Sequence, residues 1–202
     1  MGVDRVNLTL ANNTMAVRVD IRDGGGGRDI GTGTTLRGIE SLNFFGGVGN
    51  ETVLGGALSD LLQARGGSDL LSGGAGDDFL YGNIGGFIAD AGTDTMTGGT
   101  GSDRFGFEGL SNLTESPPGA GRDKITDFVA GTDKILLAVE DVSWVIWLGG
   151  NQRFTRTEHE LRFVNKLGVT LVEYDYDGDG FADLQVELKG ALTLAFSDFE
   201  FY

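Results

Sequence analysis

The chain has 202 residues, enough for one domain or two closely packed ones, and 40% of them are hydrophobic, enough to build a core. Its 30 acidic residues outnumber 15 basic ones, and the net charge of −15 disfavours nucleic acid and anionic membranes as partners and favours divalent cations. There is no cysteine, which excludes disulfides and thiolate metal sites, and no run of about 20 apolar residues that could form a membrane-spanning helix.

Residues 2–45 read as degenerate coils that lead into a repeat. Asn7-Leu8-Thr9-Leu10 and Ala16-Val17-Arg18-Val19-Asp20-Ile21 alternate as strands do. Gly24 to Gly27 read as a loose turn; no G-K-[ST] follows, so this is not a phosphate loop. Residues 1–30 lack a basic segment followed by a continuous apolar run, so no N-terminal secretory signal is read there. Gly2-Val3-Asp4-Arg5-Val6 matches the later part of one repeat unit, which suggests a module of a longer protein; a small complete protein is the alternative.

From residue 46 to 106 the chain repeats every nine residues. Gly73-Gly74-Ala75-Gly76-Asp77-Asp78-Phe79-Leu80-Tyr81 and Gly98-Gly99-Thr100-Gly101-Ser102-Asp103-Arg104-Phe105-Gly106 both fit GGxGxDxUx, where U is a large apolar residue. Units begin at Gly46, Gly55, Ala64, Gly73, Gly82, Ala89 and Gly98. Their sixth positions are Glu51, Asp60, Asp69, Asp78, Asp94 and Asp103, and their eighth are Val53, Leu62, Leu71, Leu80, Met96 and Phe105. The unit at Gly82 is broken, with Phe87 where an acid is due.

The glycines permit a tight turn with positive φ. The last three residues make a short strand with its central side chain inward, and two nines make one coil of a flattened right-handed helix of parallel strands. Coils stacked about 4.8 Å apart bring like charges together. Alternation by nines predicts Asp60, Asp78 and Asp94 on one edge, and Glu51, Asp69 and Asp103 on the other. Two such charges about 4 Å apart repel by roughly 1 kcal/mol even in water, so a cation is expected between them. Calcium fits, because it takes 6–8 oxygens from carboxylates and backbone carbonyls. The expected ligands are those six acids with the turn residues Gly47, Gly49, Gly56, Gly67, Gly74, Gly76, Gly92, Gly99 and Gly101, in at least three sites.

Residues 107–122 read as a loop punctuated by Pro117-Pro118-Gly119. Residues 123–202 read as a β-rich cap that protects the open edges of the roll. Strands are expected at 159–165, 168–174, 183–189 and 191–196, with a strand or short helix at 142–148. Asp175, Asp177, Asp179 and Asp183 alternate around Gly178 and Gly180 and form a second calcium candidate; an acidic hairpin turn is the alternative. Val186 stands where an EF-hand needs Glu, which excludes that motif. His159 is the single histidine, so His-Glu-x-x-His zinc chemistry is excluded, and no G-x-S-x-G nucleophile motif occurs. Trp144, Trp147, Phe154 and Phe163 fit either the core of the cap or a sugar platform.

The repeats of residues 46–106 resemble the repeats-in-toxin (RTX), hemolysin-type calcium-binding family. Gly38-Ile39-Glu40-Ser41-Leu42 resembles the step that often precedes such repeats. Asp123-Lys124-Ile125-Thr126-Asp127-Phe128 with Gly131-Thr132-Asp133-Lys134-Ile135 resembles the stretch that follows them in serralysin-type proteins and in mannuronan epimerase R-modules. The terminal Asp198-Phe199-Glu200-Phe201-Tyr202 is similar to type I secretion signals. The resemblance implies an all-β fold, a right-handed parallel β-roll with a C-terminal β-rich cap, divided as 1–45, 46–106 and 107–202. It also implies a secreted, extracellular bacterial module that is non-enzymatic and monomeric. Such a module folds on binding Ca2+ and supports export by type I secretion machinery. The alternative is an accessory C-terminal module of a secreted protease or polysaccharide-modifying enzyme that contacts substrate, with polysaccharide as a partner.

Overall fold

The structure is a computed structural model, and it describes residues 3–10, 14–22, 38–82, 92–108, 118–119, 121–139 and 142–202. Two sheets face each other. The first contains β1 (Arg5–Thr9), β3 (Ser41–Phe45), β5 (Leu61–Gln63), β7 (Phe79–Tyr81), β9 (Arg104–Phe107), β11 (Lys134–Leu137) and β16 (Phe199–Phe201), in that order and all parallel. The second runs from β2 (Arg18–Asp20) through β4 (Thr52–Leu54), β6 (Leu70–Ala75), β8 (Thr95–Thr100) and β10 (Lys124–Ile125) to β15 (Leu184–Lys189), also parallel. Beyond β15 lie β14 (Val169–Asp175), antiparallel to β15, then β13 (Glu160–Lys166), antiparallel to β14, and then β12 (Ile146–Gly150), parallel to β13.

The inward residue of each short strand stacks on its counterpart one coil away. Phe44, Leu62, Leu80, Phe105, Ile135 and Phe199 align in one sheet, and Val19, Val53, Leu71, Met96, Ile125 and Leu188 align in the other. All twelve are buried and belong to one hydrophobic cluster. Parallel strands too short to stand alone are stabilised by this continuous column, at about 25 cal/mol per Å² of apolar surface removed from water.

Residues 18 apart align over the regular repeats, as in Leu61↔Phe79 and Thr52↔Leu70. Across the break the step is 25, as in Leu70↔Thr95 and Phe79↔Arg104. The extra seven residues therefore add no half-coil to either sheet. This corrects the edges expected from the sequence. Asp94 follows Glu51 and Asp69, and Asp103 follows Asp60 and Asp78, because the broken unit does not count in the alternation. Phe87 and the break itself (83–91), like the glycine turn at 24–27, lie outside the described residues.

The roll also continues past the last repeat. β10, β11 and β16 add to its two sheets, and β12 to β14, which fall between β11 and β15 in the chain, extend the second sheet beyond β15. The expected strand at 191–196 is not formed. Gly190 has φ +100 and ends β15, and the Asp198 carboxylate accepts the Ala195 N–H at 2.8 Å, which folds the chain into a 3-10 turn before β16. Residues 142–148 contain both alternatives, a 3-10 turn at Val142–Trp144 and the start of β12. Among the described residues no helix is long and apolar enough to cross a membrane.

Candidate metal centre

Each edge of the roll carries a ladder of carboxylates. On one edge, Asp60 Oδ1 accepts the Leu42 N–H at 2.6 Å, Asp78 Oδ1 the Asp60 N–H at 2.8 Å, Asp103 Oδ1 the Asp78 N–H at 3.0 Å and Asp133 Oδ1 the Asp103 N–H at 3.0 Å. On the other, Asp69 Oδ1 accepts the Glu51 N–H at 2.6 Å, Asp94 Oδ1 the Asp69 N–H at 2.8 Å and Asp123 Oδ1 the Asp94 N–H at 2.7 Å. Every one of these acids is buried.

The repeat consensus follows from this geometry. In Asp60, Asp78 and Asp103 the second oxygen turns back on the first residue of its own unit, and Asp94 Oδ2 turns on Gly82, the first residue of the broken unit. A Cβ on Gly73 or Gly98 would overlap Oδ2 of Asp78 or Asp103. Gly99 and Gly101 have φ +104 and +139, and a Cβ on either would overlap the backbone carbonyl of Gly74 or Gly76 one coil away. Gly74 stands over the Gly56 carbonyl in the same way, and Gly67 over that of Gly49. The Gly47 carbonyl accepts the Gly66 N–H at 3.1 Å, Gly56 donates to Asp60 Oδ2 at 2.8 Å, and Gly92 lies two residues before Asp94.

Another ladder occupies the fifth position, which the consensus leaves free. Asn50 Oδ1 accepts the Ser68 N–H at 2.9 Å, Ser59 Oγ the Asp77 N–H at 3.1 Å, Ser68 Oγ the Thr93 N–H at 3.0 Å and Asp77 Oδ1 the Ser102 N–H at 2.9 Å. The sequence carries the signal, since all six fifth positions are short and polar. Asp127 has a related role. Its two oxygens accept the Gly98 and Gly99 N–H groups at 2.9 and 2.8 Å and close the last glycine turn.

These carboxylates are poorly compensated without a cation. Asp78 Oδ2 and both oxygens of Glu51 are buried and make no hydrogen bond of ordinary geometry. Burial pushes the Asp78 carboxyl up to about 8, and the nearby Asp60, Asp103 and Asp77 charges push the same way. Burial likewise raises Glu51 to about 7, against a smaller lowering by the Gly47 amide, and raises Asp60 and Asp103 to about 6. The donor set offers only oxygen. Buried, orphaned carboxylate oxygens in glycine turns fit a hard divalent cation such as calcium and do not fit zinc, which prefers nitrogen and sulfur.

The second candidate lies on the β14–β15 hairpin. Asp175, Asp177 and Asp183 bring one carboxylate oxygen each within 4.8 Å of the others; Asp179 is not part of this group. Asp175 accepts the Gly178 and Gly180 N–H groups at 2.7 and 2.9 Å, and Asp183 accepts the Tyr176 N–H at 2.7 Å. Burial raises the Asp175 pKa. His159 Nδ1 lies 2.8 Å from the Tyr174 hydroxyl, among Trp144, Tyr174 and Tyr176. The four aromatics weighed as a platform divide among three settings. Trp147 stacks on Phe163 and packs against Phe199, Phe154 lies under the Arg162 guanidinium, and Trp144 is 60% exposed beside His159.

The family model described as Peptidase M10 serralysin C terminal matches residues 25–200. The chain belongs to this family. It is the calcium-binding β-roll group that the repeats and the stretch after them resemble. No curated protein matches the sequence. Among solved structures, the chain is similar to the solution structure of the AlgE6R3 subunit of the mannuronan C5-epimerase of Azotobacter vinelandii. The identity is 20% and the TM-score 0.40, with 99% of this chain and 80% of that chain covered.

Proposed function

We propose that this serralysin C-terminal module is a non-enzymatic calcium-binding β-roll that folds on meeting extracellular calcium and supports type I secretion of a bacterial protein. The buried Asp78 oxygen with no hydrogen-bond partner carries the reading. An ionised carboxylate buried without a counter-charge opposes folding by several kcal/mol. Calcium supplies the missing charge, and Glu51, Asp60, Asp69, Asp78, Asp94 and Asp103 would hold it, with carbonyls of Gly47, Gly49, Gly56, Gly67, Gly74, Gly76, Gly92, Gly99 and Gly101. A further ion would sit at Asp175, Asp177 and Asp183.

Binding to the folded form alone stabilises it by about 2.7 kcal/mol per site at a calcium concentration 100 times Kd. Where calcium is scarce the ladders repel and the glycine turns keep their entropy, so the chain stays open; where it is abundant the roll closes. A cargo exported unfolded would gain direction from that difference. The test is isothermal titration calorimetry of chelated protein with calcium and, separately, with magnesium. Several exothermic or endothermic equivalents of calcium with none of magnesium support the proposal. Absence of calcium binding at millimolar concentration rejects it.

A further inference from the structure

Gly106 is a glycine that the repeat does not ask for. It holds the ninth place of its unit, which the consensus leaves free, and it pairs with Tyr81 on one side and Leu136 on the other. A Cβ there would lie 2.0 Å from Cε1 and 2.3 Å from Cδ1 of Tyr81, so the tyrosine ring occupies the space a side chain would need. From that slot the Tyr81 hydroxyl reaches the hydroxyl of Tyr202, just past β16, and the two share a hydrogen bond. The Tyr202 O–H donates onward to Glu108 Oε1 at 3.2 Å. Burial raises the pKa of both phenols and the Glu108 charge adds to it, so both keep the proton that this chain of hydroxyls needs.

The link passes over β9 and β11, which separate β7 from β16 in the sheet, a span of three strand spacings or about 14 Å. Gly106 and Leu136, the outward positions between the two tyrosines, are both buried. A second contact reaches back in the same way. Arg104 of β9 donates to Glu200 of β16 at 3.1 Å, past β11, and its guanidinium stands over the Phe79 ring of β7. β16 is the last strand of its sheet, three residues long, and it pairs with β11. The Tyr202 N–H donates to the Leu137 carbonyl at 3.3 Å and the Val139 N–H to the Tyr202 carbonyl at 3.1 Å. A parallel pairing this short is a weak hold by itself, and the side chains that reach past β11 add to it.

We infer that residues 195–202 are a closing strap for the roll, which fastens onto a stack where β7, β9 and β11 are already in register and opens as one unit while the earlier coils stay paired. Tyr81, Arg104 and Glu108 lie on or beside β7 and β9, so a stack without those strands offers the strap β11 alone. Opening uncovers the apolar end of the inward column, because Phe199 and Phe201 are the partners of Ile135 and Leu137, and Phe196 and Phe199 pack on Trp147. The strap depends on the fold of the roll and not on the ion that its turns hold.

The test is hydrogen–deuterium exchange of the full chain in saturating calcium, followed at the amides of Val139 and residues 199–202 and, for reference, at those of β4 and β6. Tyr81→Phe is expected to speed exchange at Val139 and 199–202 by about fivefold, the equivalent of one hydrogen bond, and to leave β4 and β6 unchanged. Gln63→Ala, in the same outward column one coil earlier, is expected to leave 199–202 as in wild type. The double variant Y81F/Y202F should exchange no faster than Tyr202→Phe alone, because the two hydroxyls act as one chain. A Y81F protein with wild-type exchange at 199–202 overturns the inference, as does one in which β4 and β6 speed up equally, since Tyr81 would then support the roll as a whole. If Y81F does not fold, Glu108→Ala is read at the same amides: faster exchange confined to Val139 and 199–202 supports the strap, and unchanged exchange there overturns it.

Discussion

Asp78→Asn should reverse its effect on stability between chelator and calcium. The substitution keeps the oxygen that accepts the Asp60 N–H and removes the charge. Burial raises the Asp78 pKa from 3.8 to about 8. Such a group holds its proton in the folded chain to higher pH than in the unfolded one. Its stabilising protonation is therefore fully present below pH 3.8 and is lost as the pH rises through about 8. At about 1.4 kcal/mol per pKa unit, ionisation at pH 8 opposes folding by on the order of 5 kcal/mol, reduced to about 2–5 kcal/mol by water entering the turn. D78N never ionises. In chelator at pH 8 it should be more stable than wild type by about 2–5 kcal/mol, and the gap should narrow towards pH 5, where wild type is largely protonated. In saturating calcium the order should invert, because the variant lacks a ligand. Far-UV circular dichroism at pH 5 and pH 8, with and without calcium, reads the folded fraction of both proteins under each condition, and urea unfolding gives the free energy wherever the folded form predominates. A D78N protein less stable than wild type in chelator at pH 8 would show that the carboxylate is well compensated without metal, and the electrostatic argument would fall.

Chelated wild type should lose folded fraction as the pH rises from 5 to 8, since Glu51, Asp60, Asp78 and Asp103 are all raised, and the far-UV circular dichroism β signal across that range would show the loss. Gly99→Ala should cost about 2–5 kcal/mol, because φ +104 is strained for alanine and the new Cβ overlaps a backbone carbonyl that cannot give way. Gly131→Ala, at φ +84 with nothing within 4 Å of its Cβ, should cost only about 1 kcal/mol in the same denaturation assay. Asp127→Ala strands the Gly98 and Gly99 N–H groups and should cost about 1–3 kcal/mol, with faster hydrogen exchange confined to that turn.

The period of nine was legible because it couples two independent constraints, a glycine turn and an inward apolar residue, and the column from Phe44 to Phe199 is the second made visible. The membership of each edge was not legible. Counting units assigns Asp94 by parity, and only the register shows that the seven extra residues add no half-coil. The fifth-position ladder was written in Asn50, Ser59, Ser68, Asp77, Thr93 and Ser102, but reading glycines and acids first hid it. Asp123 and Asp133 were visible as a motif, yet their place as later rungs depends on contacts 29 and 30 residues distant. The last strand was misplaced because apolar alternation at 191–196 is outweighed by the turn that Asp198 closes.

The most direct test of the central claim is far-UV circular dichroism of the chelated chain during a calcium titration, with magnesium as the control. A cooperative gain of β signal with calcium and none with magnesium is the expected result. A full β signal in chelator that calcium leaves unchanged would contradict it, and the roll would then be held by its core and C-terminal strands alone.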